Sequence, residues 1–332
     1  MKMNRRSMMV VLGSAAALAA AGNRGAVAQA KQMRIRGLFE TPMEEPFVTQ
    51  LHLAMTRAAK EQDLDYKYSE SVKAGDFSRV LREWCEDGVE LIVGDAYGTE
   101  QICRRVAKDY PETAFTMGSA NGPTEPNFSS FYGQNYEPAY LAGMLAAKMS
   151  KSGKIGAVSG VASPTNWALL NAFRAGAKEV VPAIQFKAAY IGSFFDPPKA
   201  KEATIAMADQ GVDMVFAERI GVIEAAAERN MIAIGNMTDQ SAINPDVVIT
   251  SVMWDPYPIV KASVDAVKSK SFKATDYSKL ENIKDGVNYL APYGKFEDRI
   301  PADVKAAITE KSKSIADGSF KVPYDLNETK SD

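Results

Sequence analysis

The chain has 332 residues, 39 of them basic and 41 acidic, for a formal net charge of −2. Charge of both signs spread along the sequence argues against nucleic acid or an anionic membrane surface as partner. Two cysteines and one histidine leave no metal-ligand spacing and no cofactor motif.

At the N-terminus, Lys2, Arg5 and Arg6 precede an apolar, small-residue run from Met8 to Ala21, and Ala26-Val27-Ala28 and Ala28-Gln29-Ala30 offer small-x-small cleavage sites. That order is the layout of a bacterial signal peptide, 1–30, and the run is short for a membrane span. The Arg5-Arg6 pair leaves both the general and the twin-arginine export routes open. No cysteine lies near the cleavage region, so a lipid anchor is not expected. Removing 1–30 takes four basic residues (Lys2, Arg5, Arg6, Arg24) and no acid, leaving 35 basic against 41 acidic. No later run approaches a membrane span, so the mature product is expected in the periplasm, soluble and not inserted in the membrane.

From there one rhythm runs along the chain. Met33–Leu38 reads as a strand, and Phe47–Gln62 as a helix with Leu51, Met55 and Ala58-Ala59 on one side. Strands at Tyr66–Tyr68, Glu90–Val93 and Ala114–Met117 alternate with helices at Phe77–Glu86 and Thr99–Asp109, and a loop follows through Phe128. The pattern restarts with helices at Pro138–Lys148, Asn166–Val181, Lys199–Gln210 and Val222–Arg229. Between and after them come strands at Lys154–Val158, Lys187–Tyr190, Met214–Phe216, Ile232–Ile234 and Val247–Val252. A helix at Pro258–Lys268, a strand pair within Glu281–Gly294 and a last helix at Pro301–Asp317 complete the reading. Alternation of this kind gives an α/β fold with parallel sheets covered on both faces. Two runs joined near 133–137 and 253–258 predict two similar lobes. Cys85 and Cys103 fall in separate helices, which favours two buried thiols over a bridge.

Ligands of open parallel sheets sit beyond the carboxyl ends of the strands, so the loops there carry the candidate site. In the first half these supply Phe39, Glu40, Phe47, Asp95, Tyr97, Gly118 and Ser119. In the second half they supply Phe195, Glu218, Asn236 and Asp239, with Trp254 at a crossing. Aromatic faces suit a planar ring, and carboxylates and amides suit its edge. Taken singly, each aromatic is as readily lobe core and each Asp a helix cap; Asp196 and Asp239 in particular fit caps. No catalytic residue is expected. His52 falls inside a helix, and the chain lacks Gly-x-Ser-x-Gly, Gly-x-Gly-x-x-Gly and Walker-type sequences.

Four stretches carry a resemblance: Tyr136-Glu137-Pro138-Ala139-Tyr140-Leu141-Ala142-Gly143, Gly192-Ser193-Phe194-Phe195-Asp196, Gln210-Gly211-Val212-Asp213 and Ile234-Gly235-Asn236-Met237-Thr238-Asp239-Gln240. In their order and spacing the chain resembles the basic membrane protein family of ABC-transporter receptors, the group that contains the purine nucleoside receptor of spirochaetes. The resemblance implies a type I periplasmic binding protein, two Rossmann-like lobes joined by a three-strand hinge. It places 31–134 plus 256–290 in an N-terminal lobe and 135–255 plus 291–332 in a C-terminal lobe. It also implies a monomer that captures a small molecule by lobe closure and hands it to a membrane permease, with a purine as ligand. The chain departs from the family's nucleoside receptors at Pro46-Phe47-Val48, at Met117-Gly118-Ser119, at Asn236 in place of a ribose-binding Asp, and at Trp254 in place of a Lys. Those departures favour a base such as adenine over a nucleoside. A sugar or autoinducer receptor of the same fold, and a nucleoside hydrolase, are the alternatives.

Overall fold

The computed structural model describes residues 32–332, so the leader read from 1–30 lies outside the described residues. The first sheet is built from β1 (Arg34–Leu38), β2 (Asp65–Ser69), β3 (Leu91–Asp95), β4 (Ala114–Gly118) and β5 (Phe128–Phe131), in the order β2-β1-β3-β4-β5, all parallel. Its central strands are buried from end to end, as parallel strands sandwiched between helices must be. One face is covered by α1 (Pro46–Gln62) and α8 (Tyr257–Lys268), whose Leu51, Met55, Ile259 and Val260 meet Ile35 and Val93. The other is covered by α2 (Ala74–Glu86) and α3 (Glu100–Asp109) through Phe77, Leu81, Cys103 and Val106.

The second sheet comprises β6 (Lys154–Ser159), β7 (Gln185–Tyr190), β8 (Met214–Ala217), β9 (Ile232–Met237), β10 (Val248–Trp254) and β11 (Asn288–Leu290), ordered β11-β10-β9-β8-β6-β7. Only β11 is antiparallel. The helices α4 (Tyr136–Met149), α5 (Pro164–Val180) and α9 (Ala302–Ala316) cover one face, and α6 (Pro197–Asp209) and α7 (Val222–Glu228) the other. The α4/α5 contact is close because glycines meet backbone: a Cβ on Gly143 would stand 1.9 Å from the Phe173 carbonyl oxygen, and one on Gly176 1.9 Å from that of Tyr140. Cys85 and Cys103 are both free and buried, and burial pushes the Cys103 thiol up to about 12.

Three segments pass from one sheet to the other: 132–135 between β5 and α4, 255–256 between β10 and α8, and 281–287 before β11. The sequence reading differs from the structure at these crossings. It assigned a loop as far as Phe128, but Phe128–Phe131 pairs with β4 as a full edge strand. The strand pair expected within Glu281–Gly294 is a single three-residue strand, β11, because Asn282 folds the preceding residues into turns through Lys279 and Asp285.

One side chain ties the crossings together. The buried Glu281 carboxylate accepts from the backbone N–H of Tyr132 (2.9 Å) and Gly133 (2.7 Å) and from the Trp254 indole (3.1 Å). Burial pushes Glu281 up to about 8 against these donors, which favour its charged form. An acid whose folded-state pKa is raised keeps its proton after the unfolded chain has lost it. The contribution of this group to stability is therefore lost as pH rises from about 4.5 to about 8. Melting temperatures across that range should decline more steeply for the parent than for Glu281→Gln; equal slopes would contradict this placement of the charge.

Candidate functional site

The carboxyl ends of both sheets face a shared cavity of about 440 Å³. Its first wall begins at the start of α1. Glu45 is the N-cap and accepts from the N–H of Phe47 (2.9 Å) and Val48 (3.2 Å), with Pro46 pre-shaping the first turn. That cap fixes Phe47 in the first helical turn at the cavity wall. Behind Phe47 lies Trp254, its ring parallel at 5° and 5.1 Å away, with Phe131 at 6.2 Å and Tyr97 edge-on at 6.1 Å. Gly118 leaves room for this stack: a Cβ there would stand 3.1 Å from both Phe47 and Tyr97. Phe47 is thus a rigid aromatic platform, backed by a second ring that never meets solvent.

Beside the platform sit two carboxyls, Glu40 after β1 and Asp95 at the end of β3. Asp95 accepts from the Glu40 backbone N–H at 3.3 Å. Burial first, and the neighbouring Glu40 second, hold the Asp95 carboxyl well above the usual carboxylate range. Burial likewise raises Glu40, opposed by a hydrogen bond from Thr99, and the Glu40 Oε1 atom is buried with no protein partner. Burial thus biases both carboxyls toward the protonated form, in which a carboxyl can donate as well as accept.

The second lobe contributes an ion cluster. Arg219, after β8, donates to Glu218 through Nε (2.8 Å) and Nη2, and its Nη1 lies 3.3 Å from the Glu45 carboxylate of the first lobe. Nη1 also donates to the Phe194 carbonyl at 2.6 Å. Glu218 in turn accepts from Ser159 Oγ and from the Gly160 N–H, both at 3.0 Å. All three ionic side chains are buried. Burial acts to lower the Arg219 pKa, but Glu218 and Glu45 outweigh it and keep the guanidinium charged. A further bond between lobes runs from Gln50 Nε2 to the Met237 carbonyl at 2.9 Å.

Of the twelve residues chosen from sequence, Glu40, Phe47, Asp95, Tyr97 and Glu218 line the cavity. Trp254, expected to turn its indole to the cleft, is fully buried: β10 continues through it, pairs it with Asn288, and leaves Phe47 covering its face. Phe39 is likewise core, packed in the α1 side of the first sheet. Gly118 acts from behind the Phe47 and Tyr97 rings. Ser119 is buried and bonded to Glu100 (2.6 Å) and the Asn121 carbonyl (2.7 Å). Asn236 belongs to β9 and does not line the cavity; it accepts from Asn135 (2.8 Å), which does, while its own Nδ2 is buried with no protein partner. Asp239 is exposed and holds a local turn through the Ser241 N–H, and Phe195 is exposed beside Phe194, which does line the cavity. Outside those twelve, the lining includes Glu45 and Arg219, which stand in the strand-end loops themselves, the crossing residues Tyr132 to Tyr136, and the distant Tyr324 and Leu326. The crossing near 133–137 was visible as a joint, and a joint between two lobes is necessarily a wall of whatever lies between them.

Two parallel-sheet lobes, three crossings, and a cavity at the carboxyl edges of both sheets define a ligand-capturing binding protein of the periplasmic type. The comparisons with known proteins agree. The profile of the Bmp family, described as ABC transporter substrate-binding protein PnrA-like, matches residues 40–318, and the chain belongs to that family. Its members are substrate-binding proteins of ABC transporters, not enzymes; they bind small molecules and deliver them to a membrane permease. The chain is 31% identical over 258 residues to a purine-binding protein of Brucella abortus, covering 76% of this chain and 71% of that one. It is 25% identical over 281 residues to an ABC transporter nucleoside-binding protein of Lactococcus lactis, covering 78% of each. In fold it matches an ABC transporter solute-binding protein of Aeropyrum pernix with a TM-score of 0.74, at 22% identity, over 88% of this chain and 94% of that one. Among the described residues, no helix is long and apolar enough to cross a membrane.

Proposed function

We propose that this substrate-binding protein is an exported, monomeric periplasmic receptor for a purine, with a free base such as adenine preferred to a nucleoside. The observation that carries this reading is the Phe47 platform backed by Trp254, with the Glu40 and Asp95 carboxyls beside it. A flat heterocycle would stack on Phe47 while the carboxyl pair meets its ring-edge N–H and N groups, a protonated carboxyl donating and carboxyl oxygens accepting. The relative named a purine-binding protein supports the ligand class. A bound ring would touch both lobes and so favour the closed arrangement. The leader composition of 1–30 supports export.

A ligand that binds only the folded chain stabilises it by about 2.7 kcal/mol at a hundredfold excess over Kd. Adenine is therefore expected to raise the melting temperature by several degrees and ribose to leave it unchanged. A thermal-shift panel in which sugars stabilise and purines do nothing would move the assignment to the sugar receptors of this fold. Mass spectrometry of ligand released by denaturing natively purified protein checks the same point without choosing a panel.

A further inference from the structure

The cavity has a wall that comes from outside the family's matched stretch. The profile ends at residue 318, yet Tyr324 and Leu326 line the cavity. Both are large apolar side chains, 44% and 47% exposed, so each stands at the rim with one side to the cavity and the other to water. Tyr324 is fixed there: its hydroxyl accepts from Gln134 Nε2 at 2.9 Å, and its ring lies 5.0 Å from that of Tyr136, both residues at the first lobe crossing.

The rest of the segment is anchored on the second lobe although it contains no helix or strand. Asn171 of α5 donates to the carbonyls of Asp325 (3.1 Å) and Asn327 (2.8 Å), one on each side of Leu326. The Thr329 hydroxyl donates to the Trp167 carbonyl at 3.1 Å. Beyond it, Ser331 and Asp332 run beside β7, the edge strand of its sheet, where the Asp332 N–H donates to the Phe186 carbonyl at 2.9 Å and the Ala188 N–H donates to Ser331 Oγ at 3.0 Å. Asp332 also pairs with Arg174 and Lys178 of α5. An unstructured segment held at so many points is positioned, and what it positions is two apolar side chains at the cavity rim.

We infer that residues 323–327 form a retaining wall of the ligand site, in which Tyr324 and Leu326 contact bound ligand and slow its exit. The inference rests on the cavity being the ligand site and deepens that reading with contacts the family's shared stretch does not supply. Ligand leaving the cavity past this rim must displace or slip by both side chains, so the effect belongs to the dissociation rate more than to association.

The test is stopped-flow and calorimetric binding of adenine, adenosine, glucose and ribose to the parent, to the double variant Tyr324→Ala/Leu326→Ala, and to Asn171→Ala. For the compound the parent binds, the double variant should release it about tenfold faster with association nearly unchanged. Asn171→Ala, which frees the backbone on both sides of Leu326, should give an intermediate increase of about threefold. The unliganded melting temperature should hold, since neither altered rim side chain is part of a core. If a sugar binds and adenine does not, the purine reading falls, while the wall stands provided the double variant loses that sugar faster. Equal dissociation rates in parent and double variant overturn the wall. A panel in which the parent binds none of the four overturns both.

Discussion

Trp254→Ala is expected to destabilise the protein by about 3–5 kcal/mol, a core penalty and not a binding penalty. The indole is fully buried, stacked against Phe47 on one side and close to Phe131, whose ring centroid is 5.9 Å away. Its removal opens a cavity beneath the platform and also takes one of the donors from the buried Glu281 carboxylate. Leaving a buried carboxyl oxygen short of a donor adds to the cost of the lost packing. Phe47→Ala is the contrasting variant: Phe47 is only partly buried, and stacking of a base on one aromatic is worth about 1–3 kcal/mol. It should weaken purine binding about ten- to a hundredfold with a smaller effect on unfolding. Denaturant melts and calorimetric binding on both variants separate the roles. A Trp254→Ala protein with parent-like stability and lost affinity would put the indole in the site after all.

Why the sequence pointed to Trp254 and not to Phe47 alone is a matter of register. Both residues follow a strand or open a helix at the correct edge of a sheet, and both are aromatic. Which way a strand residue points depends on where the strand ends and how it pairs, and a shift of one residue reverses the face. β10 runs on through Trp254 because β11, far along the chain, pairs with Val252 to Trp254. Nothing local in Ser251-Val252-Met253-Trp254 announces that partner. The alternation of helices and strands was legible for the opposite reason. Parallel strands buried on both faces are apolar over their length, as in Leu91-Ile92-Val93, and the helices between them carry one apolar side. Phe128-Ser129-Ser130-Phe131 does not read as an apolar run because two serines stand between its phenylalanines, although all four residues are buried and Ser129 Oγ accepts from the Thr275 N–H at 3.0 Å. Glu40, Asp95 and Glu218 were found by the strand-end rule alone, which needs no tertiary knowledge. Glu45 stands in the same loop as Glu40, but its pairing with Arg219 of the other lobe depends on a contact that nothing local announces.

Arg219→Met should cost about 3–5 kcal/mol at neutral pH, because it leaves Glu45 and Glu218 buried with no cation between them. Such a penalty comes from the stranded charges more than from the lost ion pair, and this gives it a pH signature. Burial already acts to raise the Glu45 pKa, and Arg219 is the largest influence holding it down. Without the guanidinium the carboxyl would take up a proton at higher pH, and a protonated carboxyl needs no counter-charge. The stability lost by the variant is therefore expected to be large at pH 7 and above and to shrink as pH falls toward 5. Adding Glu218→Gln to Arg219→Met removes one stranded charge and should recover part of the loss at pH 7. The same substitution cuts the ionic bridge between the start of α1 in one lobe and the loop after β8 in the other. If the lobes open about the crossings, the arrangement described here loses a contact that helps hold them together. Apparent affinity should drop in proportion to the closed fraction, and the radius of gyration without ligand should increase in small-angle scattering. A variant equally stable at pH 5 and pH 7, with parent affinity and parent radius, would show that Arg219 neither neutralises the cluster nor joins the lobes.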